Sequence, residues 1–344
     1  METPVRVVQY GLGPIGLSCA RTVLEKAKTG HIELVGAIDI NPDKVGRDLA
    51  SLLDLPTPTG IVVSGNAVEV LERTRPQVVL HTTSSFLDRM YEQLEQCAAA
   101  GAHVVSSTEE LSFPYDRHPH LAKRLDQVAR MHGVTLLGTG VNPGYAMDAL
   151  ALMATGVCND VRSITVQRVV DAGQRRMPLQ RKVGAGLTVS AFEAKKETGT
   201  FGHIGLRESL LMVARGLDWR LDDIAETLEP VVSEKTIQTP FFLVEKGYVA
   251  GIHHAITGAI EGRTVLSLDL KMYVGAPDPR DAVLVDGDPP IDLIIRGGIF
   301  GDTATVATLI NAVPLVMNAA HGLKTVADVP VPRAFASGLS TLRS

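Results

Sequence analysis

The feature that most constrains this chain is a glycine-rich turn close to its N-terminus. Gly11, Gly13 and Gly16 follow a Val-rich apolar run, Val5–Tyr10, and precede a segment, Pro14–Lys28, whose apolar residues recur with helical spacing. A buried strand, a tight glycine turn and a helix in this order are typical of a dinucleotide-binding βαβ unit. The first glycine permits the turn, the second lets the backbone approach a pyrophosphate, and the third lets helix and strand pack closely.

The second part of this fingerprint is an acidic residue about 20 residues further on. Asp39 lies at the end of a second apolar run, Ile32–Ile38, and comes 23 positions after Gly16 (39 − 16). Its carboxylate is suited to accept a hydrogen bond from a ribose 2′-hydroxyl and to repel a 2′-phosphate, which favours NAD over NADP. NADP stays open, because Lys44 and Arg47 are near enough in sequence to approach a phosphate.

Further cofactor-binding candidates follow the strands of the same predicted sheet. In open α/β sheets, ligands bind beyond the carboxyl ends of the strands, and helix N-termini stabilise phosphate charge. Ser84 has the alternative role of capping the helix that starts at Leu87, and Asn142 that of a turn residue before Pro143. The candidates are Pro14 and Ile15 at the helix start, Thr82, Thr83 and Ser84 after the run Val78–Leu80, and Asn142 after Val134–Leu137.

The hydrophobic pattern predicts an α/β fold in two parts. Apolar runs alternate with helical patterns up to residue 145, which indicates a doubly wound parallel sheet of the Rossmann type. Residues 146–300 change character, since Val265–Tyr273 alternates apolar and polar residues; we expect an α+β domain on an antiparallel or mixed sheet. A final helix at about 303–321 is expected to return to the first domain.

Finer expectations for the second half concern a hairpin and three helices. We expect a turn at Asp286-Gly287 between the apolar runs Val283–Val285 and Ile291–Ile295. Helical patterns cover Ile204–Arg215, Asp222–Leu228 and Thr303–Ala320, the last with a kink at Pro314. An earlier segment, Asp43–Leu53, also has a helical pattern.

Composition excludes several classes of function. A net charge of −5 and an aromatic content of 4% argue against a nucleic-acid-binding protein, and no apolar run approaches the length of a membrane span. Three scattered cysteines without paired spacing argue against disulfides or a zinc site and favour the cytoplasm. His253 and His254 are adjacent in a strand and point to opposite faces, so no metal is expected. Two short basic clusters, at 174–176 and 180–182, are interpreted as solvated surface.

The catalytic candidates are two adjacent glutamates, Glu109 and Glu110, directly after the short strand Val104-Val105. Partial burial in a crevice raises the pKa of a carboxyl group and suits it to act as a general base. A solvated acidic helix start is the competing interpretation. Because neighbouring side chains cannot face the same way, only one of the two is expected to point at a substrate.

Several segments resemble the 2,4-diaminopentanoate dehydrogenases and the related native amine dehydrogenases, whose arrangement is similar to that of dihydrodipicolinate reductases. The resemblance spans nearly the whole chain. The stretch Ser107–Ser112 and the run Gly202–Ser209 are fairly specific, whereas the glycine-rich start is common to many dehydrogenases. The remaining matching segments are Gly140–Gly144 and Gly301–Thr305.

The resemblance implies an NAD(P)-dependent oxidoreductase that deaminates an amine or diamino acid to a ketone and ammonia, and that runs the reverse amination. Its glutamate maps to the Glu109-Glu110 pair, with Glu109 preferred. A carboxylate suits the cationic iminium intermediate of this chemistry. Homoserine dehydrogenases, distantly similar here, place a lysine in the register of Glu109, and that lysine is absent.

The substrate side is expected in the second half, where a carboxylate-bearing substrate requires a cation. Candidate residues are Arg168, Arg176, His203 and Arg207. Two enzyme alternatives stay open, a dihydrodipicolinate-type imine reductase and a homoserine-type dehydrogenase, together with a cofactor-binding sensor that has no turnover. We also expect a homodimer, because Thr303–Ala320 and the sheet near Leu266 present apolar surface that needs cover.

Overall fold

The computed structural model describes residues 3–199 and 201–334. The described chain divides into two compact units, residues 3–144 with 301–334 and residues 145–300. The strands, numbered along the chain, are β1 (Val5–Tyr10), β2 (Ile32–Ile38), β3 (Val63–Ser64), β4 (Val78–His81), β5 (His103–Ser106), β6 (Thr135–Gly138), β7 (Asp160–Asp171), β8 (Asp223–Val232), β9 (Ile237–Gln238), β10 (Leu243–Val244), β11 (Val249–Ile260), β12 (Arg263–Tyr273), β13 (Arg280–Asp288), β14 (Ile291–Arg296) and β15 (Gly322–Lys324).

The helices lie between these strands and at the C-terminal end of the described chain. Short 3₁₀ turns, among them Glu109–Ser112, connect some of the elements. The α-helices are α1 (Pro14–Ala27), α2 (Leu49–Leu52), α3 (Ala67–Thr74), α4 (Leu87–Ala99), α5 (Pro119–Met131), α6 (Ala149–Thr155), α7 (Met177–Lys182), α8 (Val189–Lys196), α9 (Leu206–Gly216), α10 (Gly301–Asn311) and α11 (Val313–Asn318).

The first unit is built on a seven-stranded parallel sheet in the order β3-β2-β1-β4-β5-β6-β15. Strands β4 and β6 are buried along their whole length, because helices cover both faces of a doubly wound sheet. The strand order reverses between β1 and β4, and ligands bind such sheets at this switch point. The predicted Rossmann fold is confirmed.

The second unit is built on a six-stranded mixed sheet in the order β14-β13-β7-β12-β11-β8. Strands β7 and β12 pair in parallel, and the other neighbours pair antiparallel. The alternating residues Leu266, Leu268 and Leu270 of β12 are buried on the face that α6 and α9 cover. The predicted mixed sheet is therefore confirmed, and the apolar face near Leu266 is covered within the unit itself.

Two expectations for the second half were wrong. Asp222–Leu228 is predicted as a helix, but Asp223–Val232 forms the edge strand β8, because pairing with β11 along ten residues outweighs a weak local helix preference. Asp286 and Gly287 lie inside β13 at a register shift opposite β7, and the chain turns at Pro289-Pro290 instead. Proline has no N–H for a strand ladder, so this pair ends the strand.

Two other helical segments are shorter than expected. Thr303–Ala320 is divided into α10 and α11, with Pro314 in the first turn of the second helix, where its missing N–H is tolerated. Helix α10 packs against α1, and α11 packs against β5 and β6, so this apolar segment is also covered within its own unit. Of Asp43–Leu53, only Leu49–Leu52 is helical.

Other structural features bear on the compartment and on metals. In the described part of the chain, no helix combines the length and apolarity that crossing a membrane requires. Cys19, Cys97 and Cys158 are free thiols. The cytoplasmic location expected from the cysteine usage stays a prediction. Among the described residues, His, Cys, Asp and Glu side chains do not form a group of three that is placed to hold a metal ion.

Candidate active site

The glycine turn has the close contacts that its sequence predicts. Gly11 adopts a φ of +88°, which favours glycine. A Cβ atom on Gly16 would lie 1.9 Å from the carbonyl oxygen of Gly11, so only glycine fits where α1 meets the turn. By contrast, a Cβ atom on Gly13 would meet no atom of residues 3–199 and 201–334 within 4 Å. The turn is therefore tightly packed at Gly11 and Gly16, whereas there is free space next to Gly13.

The N-terminus of α1 fits a dinucleotide pyrophosphate. Gly13 is the N-cap residue and has no side chain with which to cap the helix, and Pro14 occupies the first turn. The first N–H groups of a helix are unsatisfied and carry partial positive charge, which suits a phosphate group. NAD(P) binding requires free space next to the turn and free N–H groups at the start of the helix. Gly13 and the N-terminus of α1 provide both, so the residues fit the cofactor.

Asp39 lies at the end of β2 and is tied to the glycine turn. Its Oδ2 accepts a hydrogen bond from the backbone N–H of Leu12 at 2.7 Å and lies 3.1 Å from the Nζ of Lys44. Burial raises the pKa of Asp39, but hydrogen bonds from the N–H groups of Asn41 and Leu12 and the ammonium of Lys44 together hold it below its usual value. Asp39 is therefore an anion, and Lys44 partly offsets its charge. The guanidinium of Arg47 is directed to Ser51 instead.

Two hydroxyl residues that follow β4, Thr82 and Ser84, form hydrogen bonds near the glycine turn and near the start of α4, respectively. The Oγ1 of Thr82 donates to the carbonyl of Gly11 at 2.9 Å and accepts from the Nε2 of Gln9, which is fully buried. Ser84 Oγ lies 3.4 Å from the N–H of Phe86, and Phe86 is the N-cap of α4 without a side-chain cap of its own. The role of Gln9 had no signal in the sequence, because it depends on a contact 73 residues away.

A buried histidine connects the β4 loop to the β5 loop. His81 places its Nδ1 2.9 Å from the Oγ of Ser106 and its Nε2 3.0 Å from the Oγ1 of Thr83. Ser106 in turn bonds the Oγ1 of Thr108, the residue before Glu109. Burial lowers the pKa of His81 to about 4, so the ring is neutral at neutral pH. The two loops are thus joined by a chain of side-chain hydrogen bonds.

The two adjacent glutamates have different environments. Glu110 is 5% exposed, and its Oε2 accepts from the backbone N–H of Leu87 at 2.8 Å and lies 2.8 Å from the Nε2 of His118. Its Oε1 lies 3.6 Å from the Nε of Arg117. Glu109 is only half-buried. The inward side chain is therefore Glu110, where it caps α4, and Glu109 is the glutamate that stays accessible.

The loop that carries Glu109 lies against the end of β6. A Cβ atom on Gly138 would come within 2.5 Å of the backbone of Leu111 and Ser112, so glycine is required for this approach. Asn142 follows β6 in the loop that leads to Gly144 and is half-buried. Glu109, Asn142 and the glycine turn all follow strands of the same parallel sheet and so lie at the same edge of it.

In the second unit, Arg168 is engaged inside the sheet. It is 2% exposed, its Nη1 lies 2.5 Å from the Oδ1 of Asp281 on β13, and its Nη2 donates to the carbonyl of Ile299. Asp281 also accepts from the N–H of Ile299 at 2.7 Å. This buried pair fixes the end of the sheet, and the charge of Arg168 is already balanced. Sequence reasoning missed Asp281, 113 residues away.

The other substrate candidates lie in or beside the helices of the second unit. Arg176 is the N-cap residue of α7, and Arg207 lies in the first turn of α9. His203 precedes α9, and its Nε2 is shielded from solvent without a hydrogen-bond partner among the described residues. Burial, and then Lys182, His254 and Arg168, lower the pKa of His203 well below its usual value. His203 is therefore a neutral ring near several cations.

Comparison with known proteins places the chain in a family. Residues 145–344, more than half of the chain, match the model described as the 2,4-diaminopentanoate dehydrogenase C-terminal domain. The 2,4-diaminopentanoate dehydrogenase of Acetoanaerobium sticklandii is 32% identical, over 96% of this chain and 94% of its own length. This chain belongs to the 2,4-diaminopentanoate dehydrogenase family.

Two further relatives extend this likeness to amine dehydrogenases. The amine dehydrogenase of Streptomyces virginiae is 25% identical over 95% of this chain and 96% of its own length. The structure of amine dehydrogenase from Mycobacterium smegmatis superposes with a TM-score of 0.83 at 26% identity, covering 96% and 97% of the two chains. The protein is thus an NAD(P)-dependent oxidoreductase of the amine dehydrogenase type, as the resemblance implied.

The geometry of the two glutamates gives a testable difference in stability. We expect Glu110→Ala to lower the free energy of unfolding by about 1–3 kcal/mol, because the N–H of Leu87 and the ring of His118 lose a buried partner. Glu109→Ala should lower the free energy of unfolding by a distinctly smaller amount, since the side chain of Glu109 is only half-buried. Urea denaturation of both variants measures this difference. Equal losses would contradict the assignment of Glu110 as the inward residue.

Proposed function

We propose that this protein catalyses the NAD(P)-dependent oxidative deamination of an amine or of a diamino acid like 2,4-diaminopentanoate, giving a ketone and ammonia, and the reverse reductive amination. The observation that carries the proposal is the placement of the half-buried carboxylate of Glu109 just beyond β5, at the same sheet edge as the glycine turn. Membership in the 2,4-diaminopentanoate dehydrogenase family supports the reaction type.

The proposed mechanism assigns to Glu109 an electrostatic and a proton-transfer role. NAD(P), when bound, accepts the hydride from the carbon that carries the amine. The carboxylate of Glu109 stabilises the resulting iminium cation, because an anion held in place beside the reacting carbon favours a developing positive charge. Glu109 then takes a proton from the attacking water as the water oxygen bonds to the iminium carbon, which gives a neutral carbinolamine. Glu109 returns that proton to the nitrogen, and as ammonia leaves it accepts the remaining hydroxyl proton, so that the C=O bond of the ketone forms.

The remaining proposed cofactor and substrate residues lie where strands of the parallel sheet end and near the first residues of helices. Gly11, Gly13, Pro14, Ile15 and Gly16 are proposed to hold the pyrophosphate at the N-terminus of α1. Thr82 supports that turn through its bond to the carbonyl of Gly11, and Thr83, Ser84 and Asn142 are proposed to line the cofactor. On the substrate side, Arg176, His203 and Arg207 are the proposed polar contacts, whereas Arg168 acts by holding the sheet end in shape, since Asp281 already balances its charge.

The proposed role of Glu109 predicts a loss of turnover. Reduction of NAD and NADP is followed at alkaline pH over a panel of amines, diamino acids and alcohols. Glu109→Gln should lower kcat on the accepted amine by about 10²- to 10⁴-fold, because the side chain keeps its size but loses its charge and basicity. Glu92→Gln, at an exposed position of α4, is the matched control and should match the unmodified protein. Undiminished turnover of Glu109→Gln would refute its catalytic role.

We also propose that NAD is preferred, because Asp39 is an anion at the place where a 2′-phosphate would lie. Asp39→Asn keeps an acceptor for the N–H of Leu12 but removes the charge. The ratio of kcat/KM for NADP to that for NAD should rise by about tenfold or more, because one hydrogen bond to a charged group is worth about 1.5–3 kcal/mol. Lys44→Gln should shift the ratio in the opposite direction, because it leaves Asp39 without its cation. An unchanged ratio in both variants would argue against Asp39 as the determinant.

The expected homodimer is proposed to form through the face of the second sheet opposite to α6 and α9. That face carries partly exposed residues of both charge signs, and Ile294 on the edge strand β14 is 52% exposed. Light scattering at micromolar concentration tests the proposal, and a monomer there would rule it out. The residues of this face on its central strands are Thr165, Gln167, Ser267, Asp269 and Lys271.

A further inference from the structure

The residue before Glu109 is held by the hydroxyl group of Ser106. Thr108 is the N-cap residue of the 3₁₀ turn Glu109–Ser112, and its side chain is bonded to the strand that precedes the turn. The Oγ of Ser106 donates to the Oγ1 of Thr108 at 3.0 Å and accepts from the backbone N–H of Thr108 at 3.1 Å. Both residues are buried. The start of the turn therefore depends on where the hydroxyl of Ser106 lies.

The imidazole of His81 fixes that hydroxyl from the neighbouring strand. Its Nδ1 lies 2.9 Å from the Oγ of Ser106, while its Nε2 lies 2.9 Å from the Oε1 of Gln93 on α4. The ring of Tyr10 on β1 packs edge-on against the imidazole, with 5.3 Å between the ring centres. The fully buried ring is thus contacted from α4, β1 and β5. These contacts hold Nδ1 in one place relative to Ser106.

Packing alone does not account for a histidine at this position. Burying a polar ring is costly unless its nitrogens have partners, whereas an apolar side chain packs in the same space without them. The partner of the Nδ1 of His81 is the residue that holds Thr108, next to Glu109. On the other side of Glu109, the buried carboxylate of Glu110 accepts from the N–H of Leu87. Glu109 is therefore flanked by two residues that buried hydrogen bonds keep in place.

We propose that His81 is a positioning residue for the carboxylate of Glu109. Its ring sets the place of Ser106, the hydroxyl of Ser106 sets that of Thr108, and Thr108 begins the turn. A displacement of about 1 Å near a reacting group can lower a rate by about a hundredfold. Loss of the link should therefore lower kcat more than it weakens substrate binding. This inference rests on the proposed catalytic role of Glu109.

The test compares two substitutions that keep different halves of the imidazole. The amide of His81→Asn lies near the place of Nδ1 and keeps a partner for Ser106, whereas the longer His81→Gln reaches toward the place of Nε2. We expect His81→Gln to lower kcat on the accepted amine by about tenfold to a hundredfold with KM little changed, because the placement of Glu109 is what it alters. His81→Asn should retain most of the turnover.

The substitution Ser106→Ala tests the next link. Alone it should lower kcat about as far as His81→Gln, and the double variant should lose no more, because the two residues act in series. His103→Gln is the matched control, since His103 lies at the opposite end of β5, where its Nδ1 accepts from the N–H of Thr135. It should leave kcat unchanged. Losses that simply add in the double variant would overturn the proposal, since each side chain would then act by itself.

Hydrogen–deuterium exchange of the backbone decides the proposal without turnover. In His81→Gln and Ser106→Ala, exchange should quicken in residues 107–112, because the N–H of Thr108 loses its fixed acceptor. In His81→Asn it should not. If the unmodified protein oxidises no amine, or if Glu109→Gln keeps full turnover, the proposed function or role fails, and the exchange still tests the link to the turn.

Two outcomes would overturn the link itself. The first is an equal loss of kcat in His81→Asn and His81→Gln, because the bond to Ser106 would then not be the cause. The second is exchange in His81→Gln that rises throughout the sheet, or that stays unchanged in residues 107–112. Either pattern would make His81 a residue of general stability.

Discussion

The arrangement of the candidate site depends on one buried carboxylate. Glu110 accepts from the first N–H of α4 and from the ring of His118, which precedes α5, while its own backbone N–H bonds the carbonyl of Ser85. A carboxylate at a helix N-terminus is favourable because it meets the positive end of the helix dipole. Glu110 therefore joins three segments that are separate in sequence. With Glu110 directed inward, the neighbouring Glu109 stays at the accessible surface of the same short turn.

The nucleotide-binding side has a second constraint, which is close approach. Gly11, Gly16 and Gly138 stand where a side chain would meet backbone, and these contacts hold the glycine turn and the Glu109 loop against the sheet. Thr82 forms a hydrogen bond to Gly11 in the glycine turn, and His81 forms one to Ser106, at the start of the Glu109 loop. These contacts come from within the sheet, and they leave free space at Gly13, where a Cβ atom would meet no atom of the described residues within 4 Å.

Local signals made the first unit predictable from sequence. The bounds of β1 and β2 coincide with the predicted apolar runs, because a fully buried parallel strand is a continuous apolar segment between breakers. Long-range contacts made the rest unpredictable. Strand β8 owes its conformation to pairing with β11, and the partners of Arg168 and Gln9 lie 113 and 73 residues away. Likewise, the pattern alone left the two glutamates equivalent until Leu87 and His118 distinguished them.

The buried ring of His81 has a consequence for the working range of the protein. An unfolded chain takes up a proton on this histidine near its ordinary value of 6.5, whereas the folded chain does so only near 4. Acidification across that interval therefore favours the unfolded chain, by up to about 3 kcal/mol once the lower value is passed. Above 6.5 the ring exerts no such effect. Mildly acidic storage or assay buffers therefore lower the free energy of unfolding of this protein.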